Sequence, residues 1–272
     1  MRLAVHGLGV AADFGTGADL LRLAEGGAPP GGPDRAQAAD TSALAERYSP
    51  RELRRLDHFT RMCLLAAHRA LEDAGQTGPD GTAIVLASGY GPAQTTFDFL
   101  DSLIEFGEAC ASPLAFSHSV HNIPAATVAM LLGMQCPSMS LCQAEAPVHA
   151  GLAAAWTWLA EGRAERVLFI AADERTTLLE EILGRVRPGS RPGEGAAAFV
   201  LGRAPAAGLP SLELDAQMGP DAPAVDLRQS YGDIPVGPAF DLAAAVGRTK
   251  RLGAPAAVRT GGPWQGNLLV VP

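Results

Sequence analysis

The sequence is poor in the residues that gather phosphate or metal. Of 272 residues only one is a lysine, Lys250, and 29 acidic side chains outnumber 21 basic ones for a formal charge of −8. No basic surface is available to neutralise a nucleic-acid backbone, so nucleic acid is excluded as a partner. Four cysteines (Cys63, Cys110, Cys136, Cys142) form no CxxC pair and no metal-ligand spacing. That pattern fits neither a secreted disulfide framework nor a zinc site, and reads as reduced thiols in a cytoplasmic protein. The opening "MRLAVHGLGV" carries one arginine and a short apolar run broken by His6 and two glycines. It reads as a first strand rather than a signal peptide or a membrane span. Repeats and low-complexity tails are absent as well.

What is present is ample for a core: 47% of the residues are hydrophobic and 18% charged, a soluble globular composition. Short apolar runs alternate with helical patterns. "SPRELRRLDHFTRMCLLAAHRALEDAG" (49–75) begins with a Ser49/Glu52 capping box, has Pro50 in its first turn and ends on Gly75, which predicts one helix. "TAIVLAS" (82–88) is a buried strand, and "NIPAATVAMLLG" (122–133) is a helix capped by Asn122 with Gly133 at its far end. "APVHAGLAAAWTWLAEG" (146–162) is a small-residue helix suited to the middle of a sandwich. "RVLFIAA" (166–172) and "GAAAFVLG" (195–202) are continuous apolar strands covered on both faces. After residue 203 the signal weakens: "SLELDAQM" (211–218) alternates like a strand, 239–248 reads as a helix, "GNLLVV" (266–271) as a last strand, and the stretch before 239 has no clear period. The Gly- and Pro-rich stretch 25–40 reads as a surface loop. Strand and helix alternate, so the class is α/β.

"SGYGP", "SPLAFSHSVHNIPAATVAMLLGMQCPS", "AEGRAERV" and "RPGEGAAAFVLG" follow one another in the order of the β-ketoacyl synthases. The chain resembles that thiolase-like family, and within it the short synthase-like partners called chain-length factors of aryl-polyene and related type II polyketide systems. The pattern runs without a gap from Ser88 to Gly162 and more loosely over 2–203. The resemblance implies a layered thiolase-like α/β fold and a single ketosynthase-like domain over 1–272, with a complete N-terminal half (1–203) and a trimmed second half (204–272).

The same resemblance fixes the nucleophile position. In active synthases the cysteine lies eight residues after the proline of "GPS" and seventeen before the glycine ending the next helix, and both counts land on Glu145. Cys142 stands three residues early, inside the strand, where its bland reading is a small buried hydrophobe. A glutamate in a helix's first turn ordinarily stabilises the helix dipole by about 0.3 to 1 kcal/mol. Carried over from the family, Glu145 marks a lost nucleophile: attack on a thioester by a carboxylate would give a mixed anhydride, uphill from its precursor. A charge there would also repel a malonyl carboxylate. No histidine follows His149, and "GPAFDLAAAV" (237–246) places Pro238 where the family carries its second catalytic histidine.

The implied assembly is a heterodimer with an active ketosynthase that acts on an acyl carrier protein, with no cofactor. "PSMSLCQ", that is Pro137, Ser138, Met139, Ser140, Leu141, Cys142 and Gln143, is expected to pair with its two-fold mate. Phe116, Ser117 and His118 are the expected interface loop. Tyr90, with Thr96, Phe97 and Leu100 on the helix that follows and Phe116, is expected to wall the acyl tunnel, although core packing accounts equally well for Phe97 and Leu100. His118 and His121 lack the further ligands a metal site needs. Two alternatives stay open: a divergent acyltransferase or malonyl decarboxylase using Cys142 or Glu145, and a degenerate homodimer with a binding role.

Overall fold

The protein is described by a computed structural model over residues 1–27, 38–75, 81–216, 223–260 and 266–272. Its strands are β1 (Arg2–Ala12), β2 (Thr82–Ser88), β3 (Ser138–Cys142), β4 (Arg166–Asp173), β5 (Gly195–Arg203), β6 (Ser211–Leu214), β7 (Ala224–Val225), β8 (Ala256–Thr260) and β9 (Gly266–Val271). Its α-helices are α1 (Gly17–Ala24), α2 (Pro50–Leu53), α3 (His58–Asp73), α4 (Ala93–Phe106), α5 (Pro113–Ser119), α6 (Ile123–Leu131), α7 (Pro147–Ala160), α8 (Thr177–Val186), α9 (Arg228–Tyr231) and α10 (Gly237–Leu252).

One mixed sheet runs in the order β3-β2-β4-β5-β1-β6-β9-β8-β7. Strands β3, β2 and β4 are parallel neighbours, and β4, β5, β1, β6, β9 and β8 follow antiparallel. Every residue of β2 is buried, as are all of β4 and β5 but one terminal residue each. The reason is a helix layer on each face. Phe59, Met62 and Leu64 of α3 and Val128 of α6 pack on one side, and Leu152 and Leu159 of α7 with Phe240, Leu242 and Val246 of α10 pack on the other. This two-sided cover accounts for the unbroken apolar runs of the sequence. No helix among the described residues is long and apolar enough to cross a membrane.

Residues 49–75 do not form the single helix expected. Ser49 and Glu52 do make a capping box, with Ser49 N donating to Glu52 Oε2 at 2.8 Å and Glu52 N to Ser49 Oγ at 3.3 Å. That helix is α2, which ends at Leu53, and α3 starts afresh behind a second cap. Asp57 accepts from Thr60 N at 2.6 Å and from Thr60 Oγ1 at 2.9 Å. A second N-cap residue inside a periodic stretch was the available signal for the break. The expected Asn122 cap holds its position before α6 but makes no side-chain bond. β6 ends at Leu214, short of the alternation, whose last two residues lie outside the described ones. Most of the expected 25–40 loop lies outside them too.

Candidate functional site

The C-terminal ends of the three parallel strands converge on one place, the usual location of a ligand cleft in such sheets. β2 delivers Ser88-Gly89-Tyr90-Gly91, β3 delivers Gln143 to Ala146, and β4 delivers Asp173 and Glu174. The start of α10 closes the group. A cleft of about 320 Å³ is lined by Tyr90, Glu145, Ala146, Arg187, Arg228 and Pro238, among others. The expected nucleophile and histidine positions, 145 and 238, and the expected tunnel residue Tyr90 therefore share one cleft.

The turn into α7 is strained. Ala146 is the N-cap with φ 51° and ψ 39°, a left-handed backbone that a side chain rarely adopts. Glu145 thus stands before the cap and outside the first helical turn, a correction to the dipole-stabilising placement expected. Its side chain is exposed, and its carbonyl accepts from Gln143 Nε2 at 2.7 Å. The described lining of the cleft includes no cysteine, histidine or lysine.

Cys142 is not a buried hydrophobe: in the isolated chain it is exposed. It ends β3, an edge strand bonded on one side only, and no second strand covers it among the described residues. Its sulfur lies 3.6 Å from the Gly89 carbonyl. Partial desolvation, then the charge of Asp173, pushes its thiol pKa up, opposite to the shift an activated thiol needs.

Two buried carboxylates that sequence reasoning missed brace this site. Asp173 Oδ1 accepts from Ser88 Oγ at 2.6 Å, Gly89 N at 2.9 Å and Tyr90 N at 3.0 Å, and Val236 N donates to the same group. Desolvation outweighs these bonds and pushes its pKa up to about 6. Asp241 of α10 accepts from Leu227 N and from Tyr231 Oη, both at 2.7 Å, and burial pushes it up to about 7. The signal for Asp173 was an acid closing the apolar run "RVLFIAAD". A third buried acid, Glu194 of the "PGEG" turn, accepts from Ala39 N at 2.6 Å, His58 Nε2 at 2.9 Å and Arg175 N at 3.1 Å.

The remaining expected residues lie elsewhere. Thr96 Oγ1 donates to Pro92 O at 2.9 Å within α4. Phe97 is half-buried, Leu100 is exposed, and Phe116 of α5 is exposed with its ring 5.4 Å from that of Phe99. None of these four lines the cleft that holds Tyr90. His118 Nδ1 sits 3.4 Å from Asp57 Oδ2, while His121 packs against Gly91. Pro137 and β3 occupy the open sheet edge, with an exposed and half-exposed burial pattern.

Residues 33–204 match the family described as Beta-ketoacyl synthase, N-terminal domain, which spans more than half of the chain. The chain belongs to the β-ketoacyl synthase family. Among curated proteins it is similar to 3-oxoacyl-[acyl-carrier-protein] synthase I, chloroplastic, of Hordeum vulgare, with 25% identity over 264 positions, covering 82% of this chain and 55% of the relative. It therefore spans about half the length of that synthase. Among solved structures it shares its fold with the ishigamide ketosynthase/chain length factor (TM-score 0.78, 15% identity, covering 99% of this chain and 98% of that one). It shares it also with a chain of the ApeO ketosynthase in complex with its chain length factor ApeC from Xenorhabdus doucetiae (TM-score 0.70, 16% identity, all of both chains). A third such structure is AntDE:AntF, an acyl-carrier protein in complex with its ketosynthase (TM-score 0.74, 14% identity, 99% and 98%). These likenesses establish the thiolase-like layered fold expected from the sequence.

Proposed function

We propose that this chain is the non-catalytic, chain-length-factor subunit of a heterodimeric β-ketoacyl synthase, extending polyketide or aryl-polyene chains on an acyl carrier protein with the nucleophilic cysteine of its partner. The observation that carries the reading is the cleft itself. Glu145 and Pro238 occupy the positions that the family gives to its nucleophile and a catalytic histidine, and the described lining offers no thiol or imidazole in their place. A carboxylate at 145 has no downhill covalent step with a thioester, and a proline at 238 donates no proton to a developing oxyanion.

The surface supports a permanent partner. Ile104 is 84% exposed, Met130 71%, Leu114 68% and Phe116 56%. These side chains sit on α4, α5 and α6, which pack on one another, and α6 packs beside the edge strand β3. A row of unpaired backbone groups next to exposed apolar helices is the pattern of an obligate interface of about 2,000 to 5,000 Å². Arg51, Arg54 and Arg55 are exposed and join no ion pair among the described residues, and Asp57, two positions after Arg55, lies 3.4 Å from His118 of α5. The three arginines offer the contact for an acidic carrier protein in a chain that is otherwise net acidic.

Co-expression with an active ketosynthase from the same gene neighbourhood tests the proposal. A 1:1 complex that elongates carrier-bound chains, in which this subunit shows no acyl adduct by intact mass, is expected. A covalent acyl group on this chain, or a stable monomer indifferent to the ketosynthase, would overturn it.

A further inference from the structure

Asp173 is a carboxylate with four neutral donors and no ion pair among the described residues. The donors come from two segments that are distant in sequence. Ser88 Oγ, Gly89 N and Tyr90 N belong to the turn after β2, and Val236 N is the cap of α10, two residues before Pro238. The same two segments touch directly, since a Cβ on Gly89 would lie 2.4 Å from Pro235 Cγ. The turn is held from its other sides as well: Gly91 N donates to Ser88 Oγ at 2.7 Å and Gln143 N to Ser88 O at 3.0 Å. Tyr90 thus projects into the cleft from a turn that one buried carboxylate ties to the start of α10.

Burying an acid without a cation is costly, and a neutral side chain of the same shape would avoid that cost. The arrangement is nonetheless hard to replace. In asparagine one oxygen becomes an NH₂ group, which would face a backbone N–H in a place with donors on both sides.

We propose that Asp173 is a positioning residue for product length: it clasps the Tyr90 turn to the Val236–Pro238 start of α10 and so fixes how far the tyrosine ring reaches across the cleft. The proposal rests on the chain-length reading above. It adds a residue that touches no substrate and acts through Tyr90.

A double-mutant cycle in the assembled complex tests it, with carrier-bound chain lengths read by mass spectrometry and hydrogen exchange read on segments 88–91 and 234–238. Asp173→Asn is expected to raise exchange in both segments together and to raise the ratio of longer to shorter chains several-fold. In a Tyr90→Ala background it is expected to change that ratio by less than about twofold, because the two residues act as one unit. Unchanged exchange in Asp173→Asn would overturn the clasp. Raised exchange with unchanged lengths in Asp173→Asn, while Tyr90→Ala alone shifts them, would overturn the length-setting role and leave the chain-length reading standing. Unchanged lengths in both single variants would overturn both. If Asp173→Asn does not assemble, Ser88→Cys keeps the carboxylate and weakens its side-chain donor, and the same two readouts are taken.

Discussion

Glu145 and Pro238, 93 positions apart by their numbers, line the same cleft. On the proposed reading each stands where condensation needs a catalytic group, so the two positions would describe one lost site rather than two unrelated changes. Glu145→Ala should therefore leave turnover of the assembled complex within a few-fold, because no transition-state contact is removed. Glu145→Cys should give no independent synthase while Pro238 stands opposite. A hundredfold loss in Glu145→Ala, with the complex intact, would assign the carboxylate a working role.

Gly89 has a stricter requirement than its turn alone imposes. A methyl group there would come within 2.5 Å of two carbons of Pro235 and within 3.1 Å of Asp173 Oδ2. Neither neighbour is the free end of a flexible chain. Gly89→Ala should cost about 1 to 3 kcal/mol of stability, seen as a lower denaturation midpoint, whereas Gly184→Ala, with nothing within 4 Å of the added atom, should be neutral or stabilising. Equal effects at the two sites would refute the close approach of the Gly89 turn to Pro235.

The sheet's centre was legible because burial on both faces writes itself as unbroken apolar runs: β2 and β9 begin and end where the sequence predicts them. The break between α2 and α3 was harder to see, since the apolar period continues across Asp57, and that one N-cap residue, which accepts from Thr60, was its single local signal. The candidate site was legible through the family resemblance, with 145 reached by counting and 238 from the segment "GPAFDLAAAV", but not by chemistry. Asp173, Asp241 and Glu194 are acids whose partners are mostly backbone N–H groups, and backbone donors leave no trace in a sequence. The surface position of Cys142 likewise follows from β3 being the last strand of the sheet, a fact of topology rather than of local pattern.

Burial sets an unusual pH response. Desolvation, the largest cause in each case, pushes Asp173 up to about 6 and Glu174 and Asp241 up to about 7, from 3.8, 4.5 and 3.8. Each holds its proton more tightly folded than unfolded, so its contribution to stability is present in acid and lost as pH rises through the folded values. His58, raised by its bond to Glu194, acts in the same direction above its ordinary 6.5, while the lowered pKa of Glu194 opposes them only in acid. The melting temperature should therefore fall from about pH 4.5 to about pH 7, the interval between the unfolded and folded values. Asp241→Asn, which can still accept from Leu227 N and donate to Tyr231 Oη, should flatten that fall. An identical slope in the variant would show that Asp241 does not titrate in this range.

Assembly is the most direct consequence of the exposed face. Ile104 and Leu114 are more exposed than almost any other large apolar side chain of the protein, and both lie on helices packed beside each other. Leaving them in water costs nothing that the isolated fold can recover, and burying them against a partner removes the exposed apolar area. Ile104→Asp with Leu114→Asp should therefore leave the folded chain's secondary structure unchanged while preventing complex formation, since two carboxylates would have to be desolvated in an apolar interface. The same pair of changes on α8 and α10, at exposed Val186 and Leu252, should leave assembly intact. Size-exclusion chromatography with light scattering on the co-expressed subunits distinguishes the cases. If the Ile104/Leu114 variant still elutes as a 1:1 complex, the partner does not seat on α4 and α5, and the interface must be sought along another face of the chain.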